Sequence, residues 1–108
     1  MTPDVLTPTV FHVLLALSEG PLHGYGVMQR VETESGLATG PGTIYGSLDR
    51  LAAMGWVEET DPLGDDPRRR RAYRLTRQGR AALQREVGRF QRLTELARSR
   101  GLLPGDAR

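Results

Sequence analysis

A chain of 108 residues with 38% hydrophobic and 26% charged residues can enclose one core and is too short for two ordinary domains. It contains no cysteine, which excludes disulfide frameworks, thiolate metal sites, a cysteine nucleophile and thiol-based redox sensing. The formal charge of +2 is unevenly spread: residues 68–77 hold six arginines and no acid, leaving the rest net negative, and a patch of this kind points to one anionic partner at one face.

Thr7-Pro8 opens the first predicted helix, with Thr7 as N-cap and Pro8 at the first helical position, and the helix runs to Ser18 before Gly20-Pro21 stops it. Val10, Phe11, Val13, Leu14, Leu15 and Leu17 wrap around more than one of its sides, so it is expected to be buried against two partners. Val10 to Leu17 is far shorter than the ~20 residues that cross a bilayer. It also lacks a basic leader and a small-residue cleavage site, so a soluble cytoplasmic protein with no membrane partner is expected.

Gly24 to Glu34 carries Val27, Met28 and Val31 at helical spacing, with Gly36 as the stop. Thr43 to Met54 forms a third helix, placing Ile44, Leu48, Leu51 and Ala52 on one face before Gly55. Trp56 to Thr60 and Ala72 to Leu75 read as strands on either side of a segment rich in Asp, Pro and Gly, which makes a β-hairpin. Thr76 then caps a last helix from about Arg77 to Arg100, in which Leu83, Val87, Phe90, Thr94 and Ala97 follow a 4-3-4-3 spacing.

This order gives a mainly α fold with a small β-hairpin: a winged helix-turn-helix with a C-terminal dimerisation helix. Residues 1–75 form the winged-helix unit, 76–100 the dimerisation helix of the same compact unit, and 101–108 a flexible tail. In such a unit the third helix enters the major groove, the groove wide enough to admit it and rich enough to be read.

Opposite Ile44, Leu48 and Leu51, the spacing aligns Thr43, Ser47 and Arg50 as an outward stripe beside Gly46, suited to bases and phosphates. An ordinary solvated helix face would carry the same residues. Arg68, Arg69, Arg70 and Arg71 lie at the end of the wing loop and the start of its second strand, within reach of a DNA backbone. A basic run without a ligand is the alternative. Asp61, Asp65 and Asp66 occupy the loop itself, so contact is expected from its arginine side. All fifteen basic residues are Arg, a preference that suits phosphate and guanine but that a GC-rich genome also produces.

His23-Gly24-Tyr25-Gly26, Gly42-Thr43-Ile44-Tyr45 with Leu48 and Arg50-Leu51, Gly55-Trp56-Val57, and Arg70-Arg71-Ala72-Tyr73-Arg74-Leu75-Thr76 with Gly79 together resemble the PadR family of regulators, over residues 8 to about 98. The resemblance implies a homodimer joined through the final helix that binds inverted-repeat operators in double-stranded DNA and represses until a small-molecule effector or signal releases it. The single C-terminal helix is similar to the short PadR subfamily. The resemblance also implies that Tyr45 contacts the DNA backbone, that Thr43 lies at the groove and that Tyr25 reaches phosphate. Packing between helices, with the hydroxyls at the surface, is the other reading of both tyrosines. Trp56 and Tyr73 read as core beneath the wing.

A lone winged helix has difficulty covering both the apolar first helix and the last one, so Phe11, Leu83, Val87, Phe90, Leu93 and Ala97 are the expected dimer interface. The last helix folding back on its own domain is the alternative. No catalytic, metal or cofactor site is expected: spacing shows no serine or carboxylate that would make a catalytic set with His12 or His23, and Walker or dinucleotide glycine loops are absent. A winged-helix protein-interaction module without DNA binding is the rival function.

Overall fold

The computed structural model describes residues 6–61 and 71–105. Helix α1 spans Pro8–Ala16, with the Thr7 hydroxyl accepting from the Val10 N–H at 3.2 Å, which satisfies one of the amides that a helix start leaves unpaired. It ends two residues earlier than the sequence suggests and tightens into a 3₁₀ turn over Leu17–Glu19. Helix α2 covers Gly24–Ser35 and closes on Gly36 at φ +74°, a left-handed position that favours glycine. Helix α3 covers Pro41–Ala53. It starts two residues before the expected Thr43, because proline in a first helical turn loses no hydrogen bond and arrives with a helical φ.

Strands β2 (Val57–Thr60) and β3 (Ala72–Leu75) pair antiparallel with Val57 opposite Leu75 and Thr60 opposite Ala72. The hairpin is not alone. A two-residue strand β1 (Leu22–His23) lies on the other side of β3, with Leu22 opposite Tyr73, giving a three-stranded sheet of order β1-β3-β2. β1 ties the start of α2 to the wing.

Helix α4 spans Arg77–Ser99. Its cap, Thr76, accepts from the Gly79 N–H at 3.0 Å and donates its hydroxyl proton to the Gly55 carbonyl at 2.6 Å. Gly79 lies so close to the Trp56 carbonyl that a Cβ there would overlap it. At the far end Gly101 and Leu102 return their N–H groups to Arg98 and Ala97, both at 3.0 Å, the paired closure of a Schellman motif. The expected tail therefore begins as a helix stop, and residues 106–108 lie outside the described residues.

The core is built around α1, which packs against α2, α3 and α4 as its all-round apolar surface requires. Val13, Leu14 and Leu17 meet Val27 and Val31 of α2, Ile44, Leu48 and Leu51 of α3, and Leu83 of α4. Trp56 and Tyr73 are buried under the wing, as the sequence suggests. α4 is about 35 Å long at 1.5 Å per residue, and the molecule measures 55 × 30 × 22 Å.

Candidate nucleic-acid interface

The outward surface of α3 follows from helix geometry. At 3.6 residues per turn, roughly 100° per residue, Ile44, Leu48 and Leu51 define the buried side, and Gly42, Gly46, Asp49 and Ala53 fall farthest from it. Thr43 and Arg50 lie on one flank and are exposed. Tyr45 lies on the other flank and is half-buried. Gly46 has open space where a Cβ would point, so a ligand can approach the backbone there.

Two sequence expectations about this helix need correction. Ser47 is 1% exposed, because a residue three places after Ile44 stands only about 60° from it around the helix. Its hydroxyl sits at the edge of the core, with the Arg50 guanidinium 3.5 Å away. Ala52, expected on the core face, is exposed.

Tyr45 is fixed by α2. Its ring lies against Gly24, where a Cβ would meet the ring and hydroxyl, so the glycine at the start of α2 lets the tyrosine keep this position and a larger residue would have to displace its ring. The next residue, Tyr25, is 49% exposed, with its hydroxyl 3.4 Å from the Gln29 amide. Thr43, Tyr45, Arg50 and Tyr25 thus reach the surface, and Ser47 does not.

Among the described residues, the wing arginines Arg71 and Arg74 are both engaged by carboxylates. Arg68, Arg69 and Arg70 lie outside the described residues. Arg71 is engaged: its Nε donates to Glu59 Oε1 and a terminal nitrogen donates to Asp49 Oδ1, each at 3.1 Å, and its guanidinium stands 5.4 Å from the Tyr73 ring centre and 6.0 Å from that of Tyr45. Hydrogen bonds donated to Glu59 and then to Asp49 raise the Arg71 pKa above its ordinary value. Arg74 pairs with Glu58 directly across the sheet. Burial pushes the Tyr73 hydroxyl up to about 12, so it stays protonated. Asp49, an acid on the outer side of α3, is the residue that sequence reasoning missed. Its position four after Tyr45 was the available signal.

The expected dimer residues divide. Leu83 is 5% exposed in the single chain, so it belongs to the chain's own core, a correction that follows from its facing α1 within the first two turns of α4. Val87, Phe90 and Leu93 are exposed, Ala97 is half-buried, and Leu96, not anticipated, is as exposed as Leu93. Phe11 of α1 meets Phe90 edge to face at 5.0 Å, so the two form one apolar ridge.

Glu86 was also not anticipated. It is 2% exposed and accepts two bonds from Arg89, at 3.0 and 3.1 Å, and one from the Leu6 N–H at 3.3 Å. Arg89 then the Leu6 amide hold its carboxyl below the usual glutamate value, against burial. It lines a cavity of about 680 Å³ between Met54, Trp56 and Leu6 on one side and Arg85, Arg89 and Arg92 on the other. Among the described residues, no cluster of His, Asp and Glu is placed to hold a metal, and no helix is long and apolar enough to cross a membrane.

The sequence profile of the transcriptional regulator PadR-like family matches residues 13–85. The chain is 37% identical over 87 residues to the transcriptional regulator Rv3488 of Mycobacterium tuberculosis (strain ATCC 25618 / H37Rv), covering 81% of this chain and 77% of that one. It is 43% identical over 82 residues to an uncharacterised 37.1 kDa protein in transposon TN4556 of Streptomyces fradiae, covering 76% of this chain but 23% of that protein's length. The crystal structure of Bacillus subtilis PadR in complex with operator DNA superposes with a TM-score of 0.61 at 23% identity, over 69% of this chain and 44% of that one.

Proposed function

The chain belongs to the transcriptional regulator PadR-like family, and from that premise we propose that it acts in the cytoplasm as a homodimeric repressor, binding an inverted-repeat operator and leaving it when a small-molecule effector binds. The observation that carries the DNA-binding part is the outer face of α3. Gly42, Gly46 and Ala53 keep that face low, while Thr43 and Arg50 stand on one flank and Tyr45 on the other. A face of this form admits the floor of a major groove to the helix backbone and offers hydroxyl and guanidinium donors to bases and phosphates. The operator complex of the Bacillus subtilis protein supports the same reading.

The dimer is supported by the ridge of Phe11, Val87, Phe90, Leu93 and Leu96. A second copy laid on that ridge would bury these side chains and place two copies of α3 on one face of a duplex, about 34 Å apart, in successive major grooves. The ion pairs that occupy Arg71 and Arg74 favour the rival reading of a protein-interaction module, because they leave less free charge for phosphate.

Salt decides between the two. Binding to duplexes selected from a random pool should weaken steeply as salt rises, since neutralising phosphates releases condensed counterions. An interface with an apolar centre would weaken little. Arg50→Ala should lower the salt slope by about one phosphate contact, and Tyr45→Phe should weaken binding, with the dimer intact in both. Failure of every selected duplex to bind at low salt would reject the reading.

A further inference from the structure

We propose that Arg71 is a positioning residue, whose guanidinium offsets one of the two negative charges carried by Asp49 and Glu59 so that the recognition helix and the wing can approach DNA together, and that it does not itself bind phosphate. This inference rests on the DNA-binding reading above. Asp49 is on the outer side of α3 and Glu59 is on β2, so the two carboxylates belong to the two elements that would flank the same stretch of backbone. Their side chains are 62% and 55% exposed. Left alone, they would place two negative charges beside an array of phosphates.

The geometry of Arg71 answers both. Its Nε and a terminal nitrogen donate in different directions, to Glu59 and Asp49, each at 3.1 Å. The guanidinium plane stands near the rings of Tyr73 and Tyr45, and the Arg71 carbonyl accepts from the Gly24 N–H at 3.3 Å. One residue therefore joins β2, α3 and the start of α2. A lysine would do this less well, because an ammonium is a point charge on a flexible stem without a fixed fork.

Exposed pairs of this kind add little to folding stability. Their effect is on the local field instead: a carboxylate within a Debye length of the DNA backbone repels it. Two of the five N–H donors of Arg71 and its single charge are engaged by these carboxylates, so among the described residues the contacts to phosphate fall to Tyr45, Thr43 and Arg50.

The test measures affinity and salt slope with a labelled mixed-sequence duplex at low salt, using the full chain, with melting curves to confirm folding. Arg71→Ala should weaken binding by roughly threefold to tenfold, the effect of exposing one or two unit charges to nearby phosphates. Asp49→Asn with Glu59→Gln should tighten binding and steepen the salt slope, because Arg71 is released. The triple variant, Arg71→Ala with both neutralised acids, should bind at least as well as the unaltered chain. A triple variant as weak as Arg71→Ala alone would overturn the proposal and make Arg71 a direct phosphate ligand. Arg71→Lys keeps a charge but loses the two-way fork, and should fall between the unaltered chain and Arg71→Ala. Wild-type binding without rescue refutes this inference alone, whereas no binding by the unaltered chain refutes the DNA-binding reading and takes this inference with it.

Discussion

The first half of α4 lies against the rest of its own chain, with Gly79, Ala82, Leu83 and Glu86 buried, whereas the second half leaves Val87, Phe90, Leu93 and Leu96 between 40% and 47% exposed. Apolar residues recur at helical spacing in both halves, and nothing in that spacing distinguishes them. The difference comes from what stands opposite. α1 and the Gly55-Trp56 turn meet the first two and a half turns, and beyond Phe90 the side chains of Leu93 and Leu96 stay exposed. The hydrophobic pattern of a helix thus records that a face is to be covered, not which chain covers it.

Leu83→Ala tests the first half most severely. Removing a fully buried leucine should lower folding stability by about 2–5 kcal/mol, read as a lower denaturant midpoint at concentrations where the chain is monomeric. Gly79→Ala should follow at about 1–3 kcal/mol, since its Cβ has to displace the Trp56 carbonyl and backbone yields less readily than a side chain. Leu93→Ala, in the second half, should leave the dilute monomer's stability nearly unchanged and weaken the proposed self-association by roughly 1–2 kcal/mol per dimer, measured by sedimentation. If Leu93→Ala and Leu83→Ala lowered monomer stability equally, the two halves would not differ as described.

Much of the fold was legible because local signals fix it: Thr7 and Thr76 as caps, Gly36 and Gly55 as stops, and three buried faces of period 3.6. β1 was not legible, since a two-residue strand has no periodicity and exists only because β3, fifty residues on, offers it an edge. The site was read less well than the fold. Counting Thr43, Ser47 and Arg50 four and three apart gave a stripe, but where that stripe faces depends on its angle to Ile44, and this put Ser47 in the core. Of the arginine run only Arg71 falls among the described residues, and the carboxylates that engage it come from residues 12 and 22 positions away, which no local pattern reports.

Glu86 sits where the two halves of α4 meet, and it provides the smallest and most conditional effect. Its carboxylate is held below the ordinary value of 4.5 chiefly by the Arg89 hydrogen bonds. A folded-state value below the unfolded one means that the contribution to stability is present above the unfolded value and is lost as pH falls through the folded one. Glu86→Gln keeps the size and can still accept from the Leu6 N–H, but it lacks the charge. The unaltered chain should therefore be the more stable of the two at neutral pH, and the gap should close as pH drops below 4.5, where Arg89 remains charged and Glu86 becomes neutral. Denaturant titrations at a series of pH values measure that gap directly. A gap that stays constant down to acid pH would mean that Glu86 contributes only its shape, and that the boundary between the covered and uncovered halves of α4 is set by packing alone.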